Sequence, residues 1–266
     1  MKIIIYYLTG TGNTKRAAKL IKIQLDSMGH QCEIINWLHN EFGDWEDADA
    51  FGFAGPVHAF RESTIQRKKI KDLAKYTGSS SKPGFIIACC EGTPGAFFRR
   101  THKSLKKKNV NIVGIFTYYG PSNVLMWKNS FARSQKEPDA KKDNDTLIFA
   151  QKLPELIENN KKCKIHRKYV TALAAAITKN FMMRISMIRG GIRINESKCN
   201  KCGICEKNCL GKSIKLVPFP TWDKQKCVIC LACINLCPLD AIDAKNTYNL
   251  PRFKGLGKIN VQPLIN

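Results

Sequence analysis

Eight of the twelve cysteines lie between Cys199 and Cys237, in two runs of one spacing. Cys199, Cys202, Cys205 and Cys209 form the first run. Cys227, Cys230, Cys233 and Cys237 repeat it 28 residues later, and Lys198 and Ile214 recur with it as Lys226 and Ile242. Each run reads C-x2-C-x2-C-x3-C. Three thiolates at that spacing wrap a tight loop around one iron–sulfur cubane, and the fourth points away from it. Two C-x2-C pairs can also close a zinc site, but zinc takes four ligands and this repeat offers eight in two matched sets. A disulfide framework fits poorly, because the apolar run Met1–Gly10 is too short for a secretory leader. Cys32, Cys89, Cys90 and Cys163 are scattered, and Cys89 and Cys90 read as small buried side chains.

The repeat resembles the bacterial-type two-cluster ferredoxins across residues 192–245. In that arrangement the fourth cysteine of each run serves the other cluster. Cys199, Cys202, Cys205 and Cys237 are then expected to hold one [4Fe–4S] cluster, and Cys227, Cys230, Cys233 and Cys209 the second. The second run ends Cys237-Pro238, as the family's does. The first ends Cys209-Leu210, where proline is usual. The resemblance implies single-electron transfer.

A second candidate site opens the chain. The apolar run Ile3–Leu8 passes into Thr9-Gly10-Thr11-Gly12-Asn13-Thr14 and then into a helical pattern. Free N–H groups at a helix start, together with hydroxyls, make a phosphate site. The loop lacks the G-K-[ST] of a Walker motif and is not G-x-G-x-x-G. It resembles the flavodoxin phosphate loop, which implies that Thr9, Thr11, Asn13 and Thr14 bond an FMN phosphate while Gly10 and Gly12 permit close approach. By the same resemblance, Pro56-Val57-His58-Ala59-Phe60 and Glu91-Gly92-Thr93, with Gly95, fall where such proteins meet the flavin ring. His58, Phe60, Tyr118 and Tyr119 are the aromatic candidates for stacking on it.

The elements that would position these residues alternate. Strands are expected at Ile3–Leu8, Cys32–Asn36, Ala48–Ala54, Gly84–Cys89 and Val110–Thr117. Helices are expected at Asn13–Met28, Ile65–Tyr76, Gly95–Lys108 and Asp139–Asn159. Alternation of this kind means an α/β domain with an open parallel sheet covered on both faces. The flavodoxin resemblance gives it five strands in the order 2-1-3-4-5. The expected layout is a flavodoxin-like FMN domain over 1–160, a basic amphipathic linker helix over 161–191, a small α+β two-cluster ferredoxin domain over 192–245 and an extended arm over 246–266. Such a fusion resembles the small iron–sulfur flavoproteins of anaerobes.

The net charge is +23, from 44 Lys and Arg against 21 Asp and Glu. Two clusters and a flavin phosphate would leave about +17. A field of that sign favours an acidic redox carrier: a ferredoxin, a flavodoxin or a reductase. The segment 161–193 carries no acid and could touch an anionic membrane surface. No apolar run of about 18 residues is present, so the expected location is the cytoplasm. No nucleic-acid module is recognisable, and no nucleic-acid partner is expected. Three functions remain open: an electron-transfer flavoprotein, a flavin-dependent reductase of a small organic substrate, and an iron–sulfur redox sensor or nucleic-acid binder. No residue is singled out as catalytic.

Overall fold

The computed structural model describes residues 1–40, 42–43, 45–58, 60–121, 139–165, 191–244, 252, 259 and 261–264. Ala59, most of the basic segment 161–191 and most of 246–266 lie outside them.

The first module runs β1 Lys2–Tyr7, α1 Asn13–Ser27, β2 Gln31–Asn36, β3 Ala50–His58, β4 Arg61–Glu62, α2 Thr64–Asp72, β5 Lys82–Cys90, α3 Phe97–Lys106, β6 Val110–Tyr119 and α4 Ala140–Asn159. The two-residue β4 folds back antiparallel on the end of β3. The other five strands form a parallel sheet in the order β2-β1-β3-β5-β6. With β4 set aside, this is the flavodoxin-like order 2-1-3-4-5, whose chain direction across the sheet reverses between β1 and β3.

The strand pleat divides the core. Ile3, Ile5 and Tyr7 face α1 (Ala17, Leu20, Ile21, Leu25) and α4 (Leu147, Ala150, Leu153). The alternate residues Ile4, Tyr6 and Leu8 face Ile70 of α2 and Phe97 and Leu105 of α3. Both faces of β1 are buried, which is why its sequence is continuously apolar. Helix α2 stops four residues short of Tyr76. Leu73 leaves the helix with ψ 140° and is buried, while the Lys108 ammonium donates to the carbonyls of Lys71 and Leu73. Those carbonyls have no partner within the helix, and the lysine satisfies them. Pro154 lies inside α4, buried, and the helix continues past it to Asn159.

The second module contains β7 Ile192–Ile194, α5 Ile204–Lys207, β8 Ile214–Leu216, β9 Pro220–Trp222, α6 Ala232–Leu236 and β10 Ile242–Ala244. Strand β7 pairs antiparallel with β10, and β8 with β9. The sequence repeat is therefore structural: β7, α5 and β8 begin again 28 residues on, as β9, α6 and β10. The chain end returns to the first module. The Leu264 N–H donates to Gln24 Oε1 at 2.7 Å, and Gln24 Nε2 donates to the Leu264 carbonyl at 3.0 Å. Ile259, Val261 and Leu264 pack on the α1–α4 core.

One buried ion pair fixes the first turn of α1. Arg16 Nη2 stands 2.5 Å from Asp143 Oδ2 of α4, with both side chains almost fully enclosed. Tyr118 of β6 donates its hydroxyl to Asp143 Oδ1 at 3.3 Å. Removing one partner would strand the other charge in the core. Asp143→Asn is expected to cost about 3–5 kcal/mol. Urea unfolding followed by far-ultraviolet circular dichroism reads this directly, and an unchanged midpoint would show that the pair contributes nothing to stability.

Candidate functional site

The eight repeated cysteines gather into two groups. Cys199, Cys202, Cys205 and Cys237 line one cavity, together with Lys198, Lys201, Leu216 and Leu239. Burial is the main force raising the Cys205 thiol above its ordinary range, and Cys202 and Cys199 add to it. In the other group burial raises the Cys233 thiol, and Cys230, Cys227 and Cys209 push it further, so these four sulfurs are mutual neighbours. Burial pushes the Cys230 thiol up to about 11, against main-chain hydrogen bonds from Ala232 and Leu210. Thiols forced together in a dry site are stable as thiolates only with a cation among them, which is what a metal centre supplies. Among the described residues no three ligating side chains converge as for a single ion. The first group instead surrounds a cavity, as a multi-iron centre requires.

The backbone repeats with the sulfurs. Left-handed residues occur at Lys201 and Ile229, at Gly203 and Leu231, and at Lys212 and Asp240, each pair 28 apart. A β-branched residue such as Ile229 at φ 53° is strained, and strain of this kind collects where a loop must aim its groups. The Ser213 N–H donates to Cys209 Sγ at 3.2 Å, and its counterpart Ala241 donates to Cys237 Sγ at 3.2 Å. The Ser213 hydroxyl also lies 3.2 Å from Cys209 Sγ, a contact that alanine at 241 cannot make.

The second thiol group meets the N-terminal loop. A Cβ placed on Gly10 would stand 3.6 Å from the Cβ atoms of both Cys230 and Ala232. The seam is apolar. Leu210, 1% exposed, belongs to the buried cluster of Leu8, Trp37 and Leu38 in the first module, with Val228 and Cys230 packed against it. The expected departure from proline at Leu210 thus has a packing role between the modules. Gly211 is needed beside it, because a side chain there would strike the Lys226 carbonyl.

The loop itself offers donors suited to an anion. Gly12, at φ 105°, starts α1 without a side-chain cap, and the first turn holds no acid. The first N–H groups of α1 are therefore left for a ligand. The Gly12 N–H donates to Thr9 Oγ1 at 2.9 Å, which braces the loop. Open space lies beside Gly12. Thr11 is buried, and Asn13 donates through Nδ2 to the Pro121 carbonyl at 2.9 Å. The Thr14 hydroxyl is turned inward to the Cys89 thiol, so its main-chain N–H is what it offers.

The other two segments close on each other beside this loop, at the carboxyl ends of β3 and β5. The Ala96 N–H donates to the Phe60 carbonyl at 2.7 Å, and Gly95, at φ 53°, leaves no room for a Cβ against Phe60. Pro56, Val57, His58, Phe60, Glu91 and Thr93 are half-buried, and Gly92 faces open space. Burial pushes His58 down to about 4, so its imidazole is neutral at pH 7. Tyr118 is 2% exposed and committed to Asp143, which removes it from the aromatic candidates; Tyr119 is exposed. Ala59 lies outside the described residues. A charged group that sequence reading passed over stands next to them. Buried Glu62 holds Arg67 Nε at 2.8 Å and Arg100 Nε at 3.0 Å. Burial, then the charges of Arg100 and Arg67, push the Arg61 guanidinium below its ordinary range.

A model of the 4Fe–4S binding domain matches residues 220–243, which contain the second cysteine run. No curated protein sequence matches the chain. Among solved structures it is similar to a flavodoxin of Streptococcus pneumonia TIGR4, at 13% identity and TM-score 0.44, over 58% of this chain and 99% of that one. It is similar to a flavodoxin from the domain Archaea, at 14% identity and TM-score 0.44, over 59% and 99%. An oxidised flavodoxin of Bacillus cereus follows at 12% identity and TM-score 0.40, over 59% and 98%. Strand order and the matched domain together make this chain a flavodoxin-like sheet joined to a 4Fe–4S binding domain.

Truncating the residue that closes the seam tests its role. Leu210→Ala is expected to remove about 2–5 kcal/mol. In urea the two modules should then separate into two unfolding transitions, where a single one is expected of the parent. An unchanged single transition would show that Leu210 does not join them.

Proposed function

We propose that the chain is an electron-transfer iron–sulfur flavoprotein, passing electrons between an external acidic carrier, two [4Fe–4S] clusters and one FMN. The observation that carries this reading is the seam, where Gly10 of the anion loop lies against Cys230 and Ala232 of the second thiol group. The clusters supply one-electron steps, and the flavin exchanges one or two electrons.

In this reading Cys199, Cys202, Cys205 and Cys237 ligate one cluster, and Cys209, Cys227, Cys230 and Cys233 the other. The left-handed turns at Lys201, Gly203, Ile229 and Leu231 shape the loops that carry three thiols of each group. The N–H groups of Ser213 and Ala241 stabilise charge on the two crossing sulfurs. Thr9, Gly10, Thr11, Gly12, Asn13 and Thr14 hold the FMN phosphate, through neutral donors and the positive end of α1. The ring then lies by the segments around His58–Phe60 and Glu91–Gly95, with neutral His58 able to accept a proton hydrogen bond there but not to add a charge. The basic field, about +17 with two clusters and a flavin phosphate bound, draws in the acidic carrier.

A second reading, a reductase of a small organic substrate, is favoured by Arg61. Its neighbours are engaged with Glu62, and it brings positive charge to the ring-side segments, where a substrate carboxylate would be held. In that case turnover with small unsaturated acids appears, and Arg61→Ala raises KM tenfold or more while iron and flavin content stay constant. Electron exchange with redox proteins alone, and no acid turned over, excludes it.

The first reading is tested by composition. Protein purified without oxygen is expected to hold about eight iron, eight sulfide and one FMN per chain. Eight iron without flavin would leave only the 4Fe–4S module standing, and about four iron would remove one of the two clusters.

A further inference from the structure

The two thiol groups share a backbone but differ in exposure. Of the twelve cysteines, Cys202 alone is exposed. Cys209 and Cys233 are buried, and Cys230 lies behind Gly10. The Cys199 group is therefore the outer one and the Cys209 group the inner one.

The outer rim is also where apolar surface is left uncovered. Among the described residues three large apolar side chains are exposed: Tyr119, Val217 at 71% and Leu239 at 46%. Leu239 lines the cavity of the Cys199 group, and Val217 follows Leu216, which lines it too. Lys198 and Lys201 line the same cavity, and the Lys201 ammonium rests 4.6 Å over the ring of Phe219. The acid beside Leu239 is Asp240.

We propose that this rim, formed by Cys202, Val217 and Leu239 with Lys198 and Lys201, is the docking face for an acidic one-electron carrier protein. The proposal rests on the function given above and names where its partner binds. Electron-transfer complexes bury small interfaces, so two exposed apolar residues beside a thiol and two lysines are of the right scale. Charge selects the occupant. A second copy of this chain would bring the same large positive charge and be repelled, whereas an acidic protein is attracted. In the step itself the reduced carrier loses one electron, the centre on the Cys199 group gains it, and no bond or proton moves. From there the electron's way to the anion loop leads through the inner group, the one that touches Gly10.

The test uses holoprotein whose iron and flavin have been counted, so that a failure of the cofactor reading is seen first and separately. The double variant Val217→Asp, Leu239→Asp is compared with the parent in stopped-flow reduction. An acidic [4Fe–4S] ferredoxin, pre-reduced, is one reductant and dithionite the other. The expected result is a tenfold or greater loss of rate with ferredoxin and an unchanged rate with dithionite. Lys152→Asp, at an exposed position of α4, changes net charge by the same amount and is expected to keep at least half of the ferredoxin rate. A parental ferredoxin rate in the double variant overturns the proposal, and so does an equal loss in Lys152→Asp. Should the double variant lose iron, carbodiimide cross-linking of the unaltered holoprotein to the same ferredoxin decides. Cross-links at Lys198 or Lys201 support the face, and cross-links confined to lysines of residues 1–160 overturn it.

Discussion

Close approach of two backbones, at Gly10 and at Cys230–Ala232, is the constraint around which both modules are arranged. It leaves space for a methyl group and little more, so the first loop glycine serves the interface as much as any ligand. The approach is held from the side by Leu210, whose burial among Leu8, Trp37 and Leu38 joins the second module to the core of the first. Leu210 also gives its main-chain N–H to Cys230. One residue thus links apolar packing between modules to the polar surroundings of a thiol. A shift of the second module would disturb both at once, which makes the relative position of the two sites a property of the core rather than of a linker.

The repeat explains how so small a module can hold eight thiols. Fifty-three residues bounded by β7 and β10 make only short strands, two short α-helices and one 3₁₀ turn at Glu196–Lys198, and their apolar core is completed by cysteine itself, with Cys205, Cys209 and Cys233 buried beside Ile214, Ile234 and Ile242. The left-handed residues at Ile229 and Leu231 each cost about 1–3 kcal/mol and are not glycine. Such turns persist only if something else over-determines them, and four inward thiols bound to a metal centre are a sufficient cause. The halves are not equivalent, however. Ser213 adds a hydroxyl beside Cys209 where Ala241 offers Cys237 none, so the two thiol groups differ in the hydrogen bonding that would set the potential of a bound cluster.

Much of this was legible in the residues. The unbroken apolar run Ile3–Leu8 indicated a strand buried on both faces, and the helical spacing of Ala17, Leu20, Ile21 and Leu25 indicated the first helix, because both elements are buried by their own pattern. The 28-residue offset carried over into strands, helices and even positive φ values, since equal spacing around equal thiols demands equal backbone. Other features were not legible. Strand β4 is two residues long and arises from the turn at Phe60, which no periodicity signals. Leu210 read as a missing proline, because a sequence shows what a position lacks locally and not what it touches 170 residues away. The early end of α2 depends on Lys108, and the inward turn of Thr14 on Cys89; both are tertiary choices. Arg67 lies only five residues from Glu62, but Arg100 is 38 away and reaches the same carboxylate only through the fold.

The charge has to be placed as well as counted. Residues 191–244 hold eight Lys and Arg against five Asp and Glu, so most of the +23 lies outside this module. Two clusters with four thiolates each would bring about −4, leaving the module itself close to neutral. The long-range field and the contact surface are therefore carried by different parts of the chain. In the proposed function the basic remainder of the molecule would concentrate an acidic carrier around it, an effect that fades beyond a Debye length of about 8 Å at physiological salt. Within that range the near-neutral rim, with exposed Val217 and Leu239, can be covered without desolvating a dense patch of charge. Attraction and docking separated in this way would give the proposed carrier fast encounter without tight retention, as a partner that must leave after one electron requires.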